Sequence, residues 1–578
     1  MLNTQIKYID YISKVNDEIE KTNLPDKVIE KFQLKETIEA IEKVELLVPV
    51  IGAFSAGKSS LLNSFLGDKK LPEKITPETA LATELRYSED EHIEAVGANS
   101  DITTFSIDDI EEIKDRAKDF KYLRMYLKNE NIKNIEPLIL VDMPGFESPL
   151  DLHNQAIMEY INRGVHYIVL SSVEDGTITK SMRRQLENIQ AYERGFSFFL
   201  SKTNLKPKEE VEEIKQQVQD QLEDYFDITN EIGLVDDNGG ESLQRVLSKI
   251  DPEQLIKTIF LEDLKDNYFS IKEAINTSIS ASGKTKEENN RAIQQLQKAL
   301  DETLQKKNNL IEETKSRYSD IRINAIVEAV SMDLSNSIEE IVSVGMSGDS
   351  NALSETILEI AKSSLIVNVK DSMNDISGEI VNDFSTGLSN LNSVMADFTI
   401  SENWIAGIAE TTKKMITGAS NKLNTIVSER KKVQNNNEDI DKTYKAVTSV
   451  LAITTEVVNP IVEVAIVFLP EILSFVFAAI QENKQKEKIR TTILTTTIPS
   501  LKRNLRAKLP EMFNAQVNEL ISQIGEQFEE AIENKQASIE NAQKEREEEN
   551  RNMEQIIQTY KKADKAITTL ANNTLYKE

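Results

Sequence analysis

Residues 46–66 read LLVPVIGAFSAGKSSLLNSFL, and this stretch decides the fold of the first part of the chain. An apolar, β-branched run of strand length leads directly into a glycine-rich turn, which a helical pattern follows. The turn, residues 52–59, fits the pattern Gly, four residues, Gly, Lys, Ser or Thr. In such a turn, successive backbone amides surround phosphate groups, and the next helix points its positive end at them. The stretch therefore predicts a phosphate-binding loop between a buried strand and a helix.

The residue types in this loop predict their roles. Lys58 is expected to reach the β- and γ-phosphates of a nucleotide, and Ser59 is expected to bind Mg²⁺ through its hydroxyl. The predicted nucleotide-binding residues are Gly52, Ser55, Ala56, Gly57, Lys58, Ser59 and Ser60, together with Lys202 and Asn204 farther along the chain.

A second candidate element, DMPG at residues 142–145, ends the apolar strand pattern PLILV. An aspartate in this position can hold a magnesium-bound water, and the amide of Gly145 can meet the γ-phosphate. Thr79, in the stretch KITPETALATELRY, can complete the magnesium site through its hydroxyl, with Thr76 and Thr83 as alternatives. The predicted metal-binding residues are Ser59, Thr79 and, through water, Asp142.

The turn SKTN at residues 201–204 ends a further apolar strand pattern, FSFFL. In guanine-nucleotide-binding proteins the fourth position is usually aspartate, whose carboxylate accepts from both the ring N–H and the exocyclic amine. Asn204 offers one acceptor and one donor, and the donor faces the guanine amine, at a cost of roughly 1–3 kcal/mol. We therefore expect weak guanine affinity and a better fit to a base with an acceptor there. Lys202 is expected to pack its aliphatic stem against the base plane.

Strand and helix patterns alternate up to about residue 250, which predicts a mostly parallel sheet with helices on both faces. Long amphipathic helices follow, and one of them places Ile293, Leu296, Leu300 and Leu304 on a single stripe. The predicted fold class is therefore α/β plus all-α. The expected units are N-terminal neck helices (1–45), a nucleotide-binding domain (46–250), neck and trunk helices (251–345), trunk helices with an apolar tip (346–487) and returning trunk and neck helices (488–578).

Composition restricts the classes of partner. The 97 acidic and 68 basic residues give a formal net charge of -29, which disfavours nucleic acid, because affinity for it comes largely from basic residues. The absence of cysteine excludes disulfides and cysteine nucleophiles. The first residues lack the continuous apolar core of a secretory signal, so we expect a cytoplasmic protein. The apolar segment described next adds the expectation that it associates peripherally with membranes.

Residues 446–480 are the most apolar part of the chain, and we call them the apolar tip. They include Glu456, Glu463 and Glu471, and a spanning helix of about twenty apolar residues tolerates such carboxylates poorly. We therefore predict a helical hairpin that dips into one lipid leaflet, with a buried trunk core as the alternative. The predicted lipid-contacting residues are Trp404, Val464, Ile466, Phe468, Leu469, Phe475 and Phe477.

These motifs together resemble those of bacterial dynamin-like proteins. The resemblance rests on GAFSAGKSSLLNSFLGDKKLP, TPETALAT and DMPG, and on the order of helix, nucleotide-binding module and long helical trunk. It implies a GTPase domain that binds GTP or GDP with Mg²⁺. It also implies GTP hydrolysis coupled to membrane remodelling and to assembly, with further copies or with a homologous subunit. By position, it implies catalytic roles for Ser55, Lys58, Thr79 and Gly145.

Two positions depart from that pattern. Phe54 stands where eukaryotic members carry a glutamine implicated in catalysis, and Asn204 replaces the base-reading aspartate. These departures leave open a catalytically weak or inactive scaffold that assembles with a homologous partner. A P-loop ATPase with a coiled-coil arm is a second alternative, but the sequence contains no ABC-type signature loop and its net charge opposes DNA binding.

Overall fold

The computed structural model describes residues 1–53, 56–72, 81–97, 101–109, 112–113, 116–145, 160, 164–191, 195–236, 238–347, 350–399, 403–417, 486–548 and 553–577. Four residues with predicted roles, Phe54, Ser55, Thr76 and Thr79, lie outside these ranges, as does the whole apolar tip.

The described part of the first half of the chain forms one nine-stranded sheet. Its strands are β1 (Leu46–Gly52), β2 (Ala82–Tyr87), β3 (His92–Gly97), β4 (Ile102–Phe105), β5 (Phe120–Leu127), β6 (Leu138–Asp142), β7 (His166–Ser172), β8 (Gly195–Ser201) and β9 (Gly233–Leu234). The order across the sheet is β4-β3-β5-β2-β6-β1-β7-β8-β9. The run from β6 to β9 is parallel, whereas β2 is antiparallel to β6, and β3 is antiparallel to both β4 and β5.

Helices cover both faces of this sheet. Those of the first half are α1 (Asn3–Glu20), α2 (Asp26–Lys31), α3 (Leu34–Lys43), α4 (Lys58–Leu66), α5 (Glu130–Ile135), α6 (Lys180–Ala191), α7 (Lys208–Phe226) and α8 (Gly240–Leu247). The side chains of β1 alternate between two apolar clusters: Val48 and Val50 pack with α4 and α8, whereas Leu47 and Ile51 lie in the cluster that includes α6 and α7. Because both faces are covered, β1 is apolar at every position rather than at alternate ones.

The rest of the described chain is helical. Its longer elements are α9 (Pro252–Gly283), α10 (Lys286–Thr314), α11 (Asp320–Asn336), α12 (Ile338–Ser347), α13 (Ser350–Gly387), α14 (Leu391–Met395), α15 (Trp404–Thr417), α16 (Lys486–Thr492), α17 (Ile498–Glu548) and α18 (Met553–Thr574). Helix α10 begins with a capping box, in which Thr285 accepts from the Glu288 amide and Glu288 accepts from the Thr285 amide. The long helix α17 packs against α9, α10, α11 and α13, while α18 packs against α1 and α9.

The predicted fold class is confirmed, since a mostly parallel sheet with helices on both faces precedes long helices. The predicted bounds of the units remain predictions, although the last strand ends at Leu234 and the long helices begin at Pro252. One detail of the α10 stripe is wrong, because Leu304 is 43% exposed and Thr303 is buried in its place. Successive steps of four residues rotate away from a face that repeats every 3.6 residues. The buried series therefore continues from Ala299 to Thr303 and does not include Leu304.

Trp404 differs from its predicted place at a lipid interface. Its side chain is only 6% exposed and lies in the apolar core of the trunk helices, with the Lys535 ammonium 4.9 Å from its ring centroid. Lys535 also donates to the Phe398 carbonyl oxygen at 2.6 Å, which fixes it over the ring. In this structure, Trp404 is therefore a core residue. Among the described helices, none is both long and apolar enough to cross a membrane.

Candidate nucleotide-binding site

The candidate site lies at the carboxyl ends of the central parallel strands. The carboxyl ends of β1, β6, β7 and β8 share one edge of the sheet, because these strands run parallel in adjacent positions. Gly52, Asp142 and Ser201, the last residues of β1, β6 and β8, therefore lie along that edge. In sheets of this kind, ligands bind outside the carboxyl ends of the strands.

Backbone geometry requires glycine at two positions of the glycine-rich loop. A Cβ atom on Gly52 would lie 2.5 Å from the Leu170 carbonyl oxygen, so β1 and β7 approach too closely there for a side chain. Gly57 has a φ of +86°, in the left-handed region that favours glycine, and α4 begins at the next residue. The loop therefore turns sharply from the strand into the helix, as a phosphate-binding loop requires.

Lys58 lies beneath this loop. Its ammonium donates to the Gly52 and Ala53 carbonyl oxygens, each at 2.9 Å, and the residue is 6% exposed. A lysine held by two carbonyl oxygens presents its positive charge to the concave side of the loop at a fixed place. The arrangement fits the predicted phosphate-binding role of Lys58, which stays a prediction.

Ser59 and Asp142 meet at the predicted metal position. The Ser59 hydroxyl donates to Oδ2 of Asp142 at 2.8 Å, while Oδ1 of Asp142 is buried without a hydrogen-bond partner among the described residues. Burial raises the pKa of Asp142 to about 6, although the Ser59 hydrogen bond and the Lys58 charge both lower it. A buried carboxylate with one unpaired oxygen, beside a hydroxyl, is a donor set that suits Mg²⁺. The residues present therefore fit the ion that the sequence predicts.

Three other predicted or rival residues are found at the same edge. Thr83 belongs to β2, where it pairs directly with Asp142 and donates its hydroxyl to the Leu81 carbonyl oxygen at 3.2 Å. Gly145 is buried just after β6, and Ser60 is exposed on the first turn of α4. The Thr83 hydroxyl is thus already bonded to a nearby backbone carbonyl, which makes Thr83 a weaker candidate for the magnesium site than Thr79.

The turn at residues 201–204, which we call the base-side turn, is tied to the glycine-rich loop. The Ser201 hydroxyl donates to the Ala56 carbonyl oxygen at 2.7 Å, which links β8 to the glycine-rich loop. Lys202 follows with a φ of 58°, and Thr203 donates both its amide and its hydroxyl to the Val235 carbonyl oxygen. Asn204 is exposed at the end of this turn. Lys202 and Asn204 thus lie at the edge where the sequence predicts them.

The glycine pair that follows β9 has a packing role. A Cβ atom on Gly240 would lie 2.4 Å from the Ser64 carbonyl oxygen of α4, and the Gly240 amide donates to the Ser64 hydroxyl at 3.0 Å. Gly240 is therefore required by the close approach of α8 to α4.

One contact at the site was not predicted. Glu174, in the loop after β7, accepts from the Lys202 ammonium at 2.6 Å. An acidic residue in a polar turn is usually solvated, and the two residues belong to different strand–loop units. The sequence therefore carries no signal for this pair.

Residues 48–203 match the sequence model of the Dynamin family. This chain carries a dynamin-family domain. The matched range begins in β1 and ends in the base-side turn, so it contains the glycine-rich loop, the DMPG element and Lys202. The resemblance that the motifs predict is confirmed.

Curated relatives match the dynamin-family domain over part of their length. Dynamin-like protein 2 of Campylobacter jejuni is 33% identical over 117 residues, which cover 20% of this chain and 19% of that protein. An uncharacterized protein from the xynA 3′ region of a Caldicellulosiruptor strain is 27% identical over 180 residues, 30% of this chain and 44% of the relative. A probable transmembrane GTPase, FZO-like, of Arabidopsis thaliana chloroplasts is 27% identical over 196 residues, 31% of this chain and 19% of that protein. This chain thus matches less than half the length of each of these relatives.

Solved structures align over longer stretches at low identity. A bacterial dynamin pair, described as oligomerised and as a mechanism for sensing and tethering membranes, is 14% identical with a TM-score of 0.32, covering 94% of this chain and 90% of that one. LeoA, a bacterial dynamin GTPase from ETEC, is 12% identical with a TM-score of 0.28, covering 92% and 98%. Scores this low do not bear on site geometry or function.

Proposed function

We propose that this protein binds and hydrolyses GTP with Mg²⁺ as a dynamin-like protein, and that hydrolysis is coupled to assembly and membrane remodelling. The observation that carries the proposal is the Ser59–Asp142 hydrogen bond beside the buried Lys58, within the domain that matches the Dynamin family. This arrangement brings a cation, a hydroxyl and a buried carboxylate together at the start of a helix.

Each residue has a distinct role in this proposal. Lys58 attracts the β- and γ-phosphates, and the amides at the start of α4 donate to phosphate oxygens. Ser59 binds Mg²⁺ directly and Asp142 binds it through water. The ion, when bound, neutralises charge that develops on the phosphates. The amide of Gly145 meets the γ-phosphate.

Two further catalytic roles rest on the resemblance to dynamin-like proteins. Ser55 would help to place the attacking water and a stabilising cation, and Thr79 would complete the magnesium site. Both residues lie outside the described ranges, so the sequence alone supports these roles.

Assembly and lipid binding are the remaining parts of the proposal. The Dynamin-family match supports association with further copies of this chain or with a homologous subunit. The proposed lipid contact is the apolar tip, through Val464, Ile466, Phe468, Leu469, Phe475 and Phe477. Its support is the sequence pattern, in which apolar runs interrupted by glutamates suit one leaflet better than a span.

Phosphate release from GTP tests the enzymatic part of the proposal. We expect the wild-type protein to hydrolyse GTP with Mg²⁺, and Lys58→Ala to lose this activity because the phosphates lose their buried cation. A wild-type protein that binds GTP without hydrolysing it would favour the scaffold alternative. Vesicles of phosphatidylethanolamine and phosphatidylglycerol, added to the same assay, should raise the rate if hydrolysis responds to assembly on lipid.

Cosedimentation with these vesicles tests the lipid contact. Phe468→Asp in the apolar tip should abolish cosedimentation and leave hydrolysis without lipid unchanged, because a carboxylate is costly to insert among acyl chains. Met332→Asp is the matched control, since Met332 is 62% exposed on α11. Equal cosedimentation of wild type and Phe468→Asp would contradict the proposed contact.

A further inference from the structure

The base-side turn holds Lys202 in place through its neighbours. Ser201 is tied to the glycine-rich loop by its hydrogen bond to the Ala56 carbonyl oxygen, and Thr203 is tied to the end of β9 through Val235. Between these two anchors, Lys202 adopts a left-handed backbone conformation with a φ of 58°. Its backbone is therefore fixed at the edge of the sheet where the nucleotide base is expected.

The Lys202 side chain is fixed at its far end as well. Its ammonium lies 2.6 Å from Oε2 of Glu174, and Glu174 is itself held in its loop, because its amide donates to the Ser172 hydroxyl at 3.1 Å. The nearby Lys206 forms its own ion pair with Glu210. Because its backbone and its ammonium are both held in place, the Lys202 side chain extends from the end of β8 to the loop after β7.

An anchored lysine differs from a free one in what it can offer a ligand. A free lysine side chain loses rotamer entropy when it is ordered against a ligand, and this loss subtracts from the affinity. The contact with Glu174 orders the chain before the ligand arrives. Exposed ion pairs contribute little to folding, so the consequence of this one is expected in binding rather than in stability.

We propose that Glu174 is a positioning residue that holds Lys202 as an apolar platform for the face of a purine base. The inference rests on the proposed function, because it assigns a role within the same nucleotide site. The platform contacts the flat face that all purines share, whereas Asn204 meets the base edge. Glu174 therefore sets how tightly purine nucleotides bind, and it does not discriminate among them.

Equilibrium binding of GTP, ITP and XTP with Mg²⁺ tests this role. We expect Glu174→Gln to weaken all three by the same factor, about threefold to fivefold, which is the range of an exposed ion pair. Lys202→Met keeps the apolar chain and removes the ammonium, so it should weaken binding equally, and the double variant should be no weaker than either. Lys202→Ala removes the platform itself and should weaken binding further. The matched control is Glu231→Gln, which breaks the Lys215–Glu231 pair in the same domain.

Distinct outcomes contradict the inference and the proposed function. Binding that is unchanged in Glu174→Gln, or effects of Glu174→Gln and Lys202→Met that add in the double variant, would overturn the inference alone. A loss confined to GTP would also overturn it, since that would show reading of the base edge. A wild-type protein that binds none of the three nucleotides would contradict the proposed function, and the inference would fall with it.

Discussion

Asn204 lies exposed at the end of the base-side turn, one residue beyond the pair of hydrogen bonds that Thr203 makes to the Val235 carbonyl oxygen. In the proposed nucleotide site, this position decides which base edge can be satisfied. An asparagine side chain there places its N–H donor against the exocyclic amine of guanine, which is also a donor. A carboxylate, by contrast, accepts from both guanine donors.

Replacement of Asn204 by aspartate should therefore raise the affinity for GTP. We expect a gain of about tenfold or more, because an unsatisfied contact is removed and charge assistance is added. Affinity for XTP should fall in the same variant. Isothermal titration with Asn230→Asp as the control, an exposed asparagine of the same domain, checks the prediction. An unchanged ratio of GTP to XTP affinity would contradict it.

Residues whose role depends on local sequence could be predicted, and residues whose role depends on a distant partner could not. The placement of Gly52, Gly57 and Lys58 follows from one contiguous motif and the strand that precedes it. The contact of Glu174 with Lys202 joins loops that follow two different strands, so no local pattern indicates it. The same holds for the link from Ser201 to the glycine-rich loop.

Strand β2, which reads ATELRY, carries a buried carboxylate that its sequence does not predict. Glu84 is 0% exposed and accepts from Arg86 at 2.6 Å and from the Tyr160 hydroxyl at 2.8 Å. Arg86 also donates to Glu45, just before β1, at 2.7 Å. A carboxylate this deep is stable in its charged form only with such partners.

Arg86→Ala should destabilise the sheet domain by about 3 kcal/mol, because removal of one partner leaves a buried charge incompletely compensated. Arg124, 3.5 Å from Glu84, remains and limits the loss. Chemical denaturation monitored by circular dichroism measures the change, and Arg245→Ala, an exposed arginine of α8 that donates to the Ser242 hydroxyl, is the control. A difference of less than about 0.5 kcal/mol, the range of an ordinary surface substitution, would contradict a structural role for the cluster.

For the strands and helices, the alternation of their sequence patterns predicted the sheet and its helices on both faces. The patterns did not indicate that β2 runs antiparallel to β6, since pairing direction depends on how the chain crosses the sheet and not on side-chain period. The exposure of Leu304 was missed because Leu296, Leu300 and Leu304 follow one another in steps of four residues, which stay on a face that repeats every 3.6 residues over a short length only.

In the whole molecule, the trunk packs back onto the sheet domain through α6 and α13. Gln185 of α6 is buried, and its Nε2 donates to Oε1 of Glu359 of α13 at 3.4 Å. Lys362, also on α13, is buried as well. Burial lowers the pKa of Lys362 to about 8. Whether the trunk is extended or folded could not be predicted from the sequence, because that choice depends on contacts between helices far apart in the chain.

Trp404 is the single tryptophan of the chain, so its fluorescence reports on one place in the trunk. Because the ring is buried beneath Lys535, we expect an emission maximum typical of an apolar environment that does not change when vesicles are added. Unfolding in guanidinium should shift it to the red. A shift on addition of vesicles would show that Trp404 leaves the core to meet lipid, and it would contradict the core assignment.

The central claim is that Lys58, Ser59 and Asp142 form a site for a nucleoside triphosphate with Mg²⁺. Equilibrium binding of GTP, XTP and ATP to the wild type and to Lys58→Ala tests it most directly, with Lys249→Ala, an exposed lysine of the same domain, as the control. We predict that the wild type and Lys249→Ala bind at least one of these nucleotides with Mg²⁺, and that Lys58→Ala binds it about tenfold or more weakly, since a charge-assisted contact is lost. Equal binding by all three proteins, or no binding by the wild type, would contradict the claim.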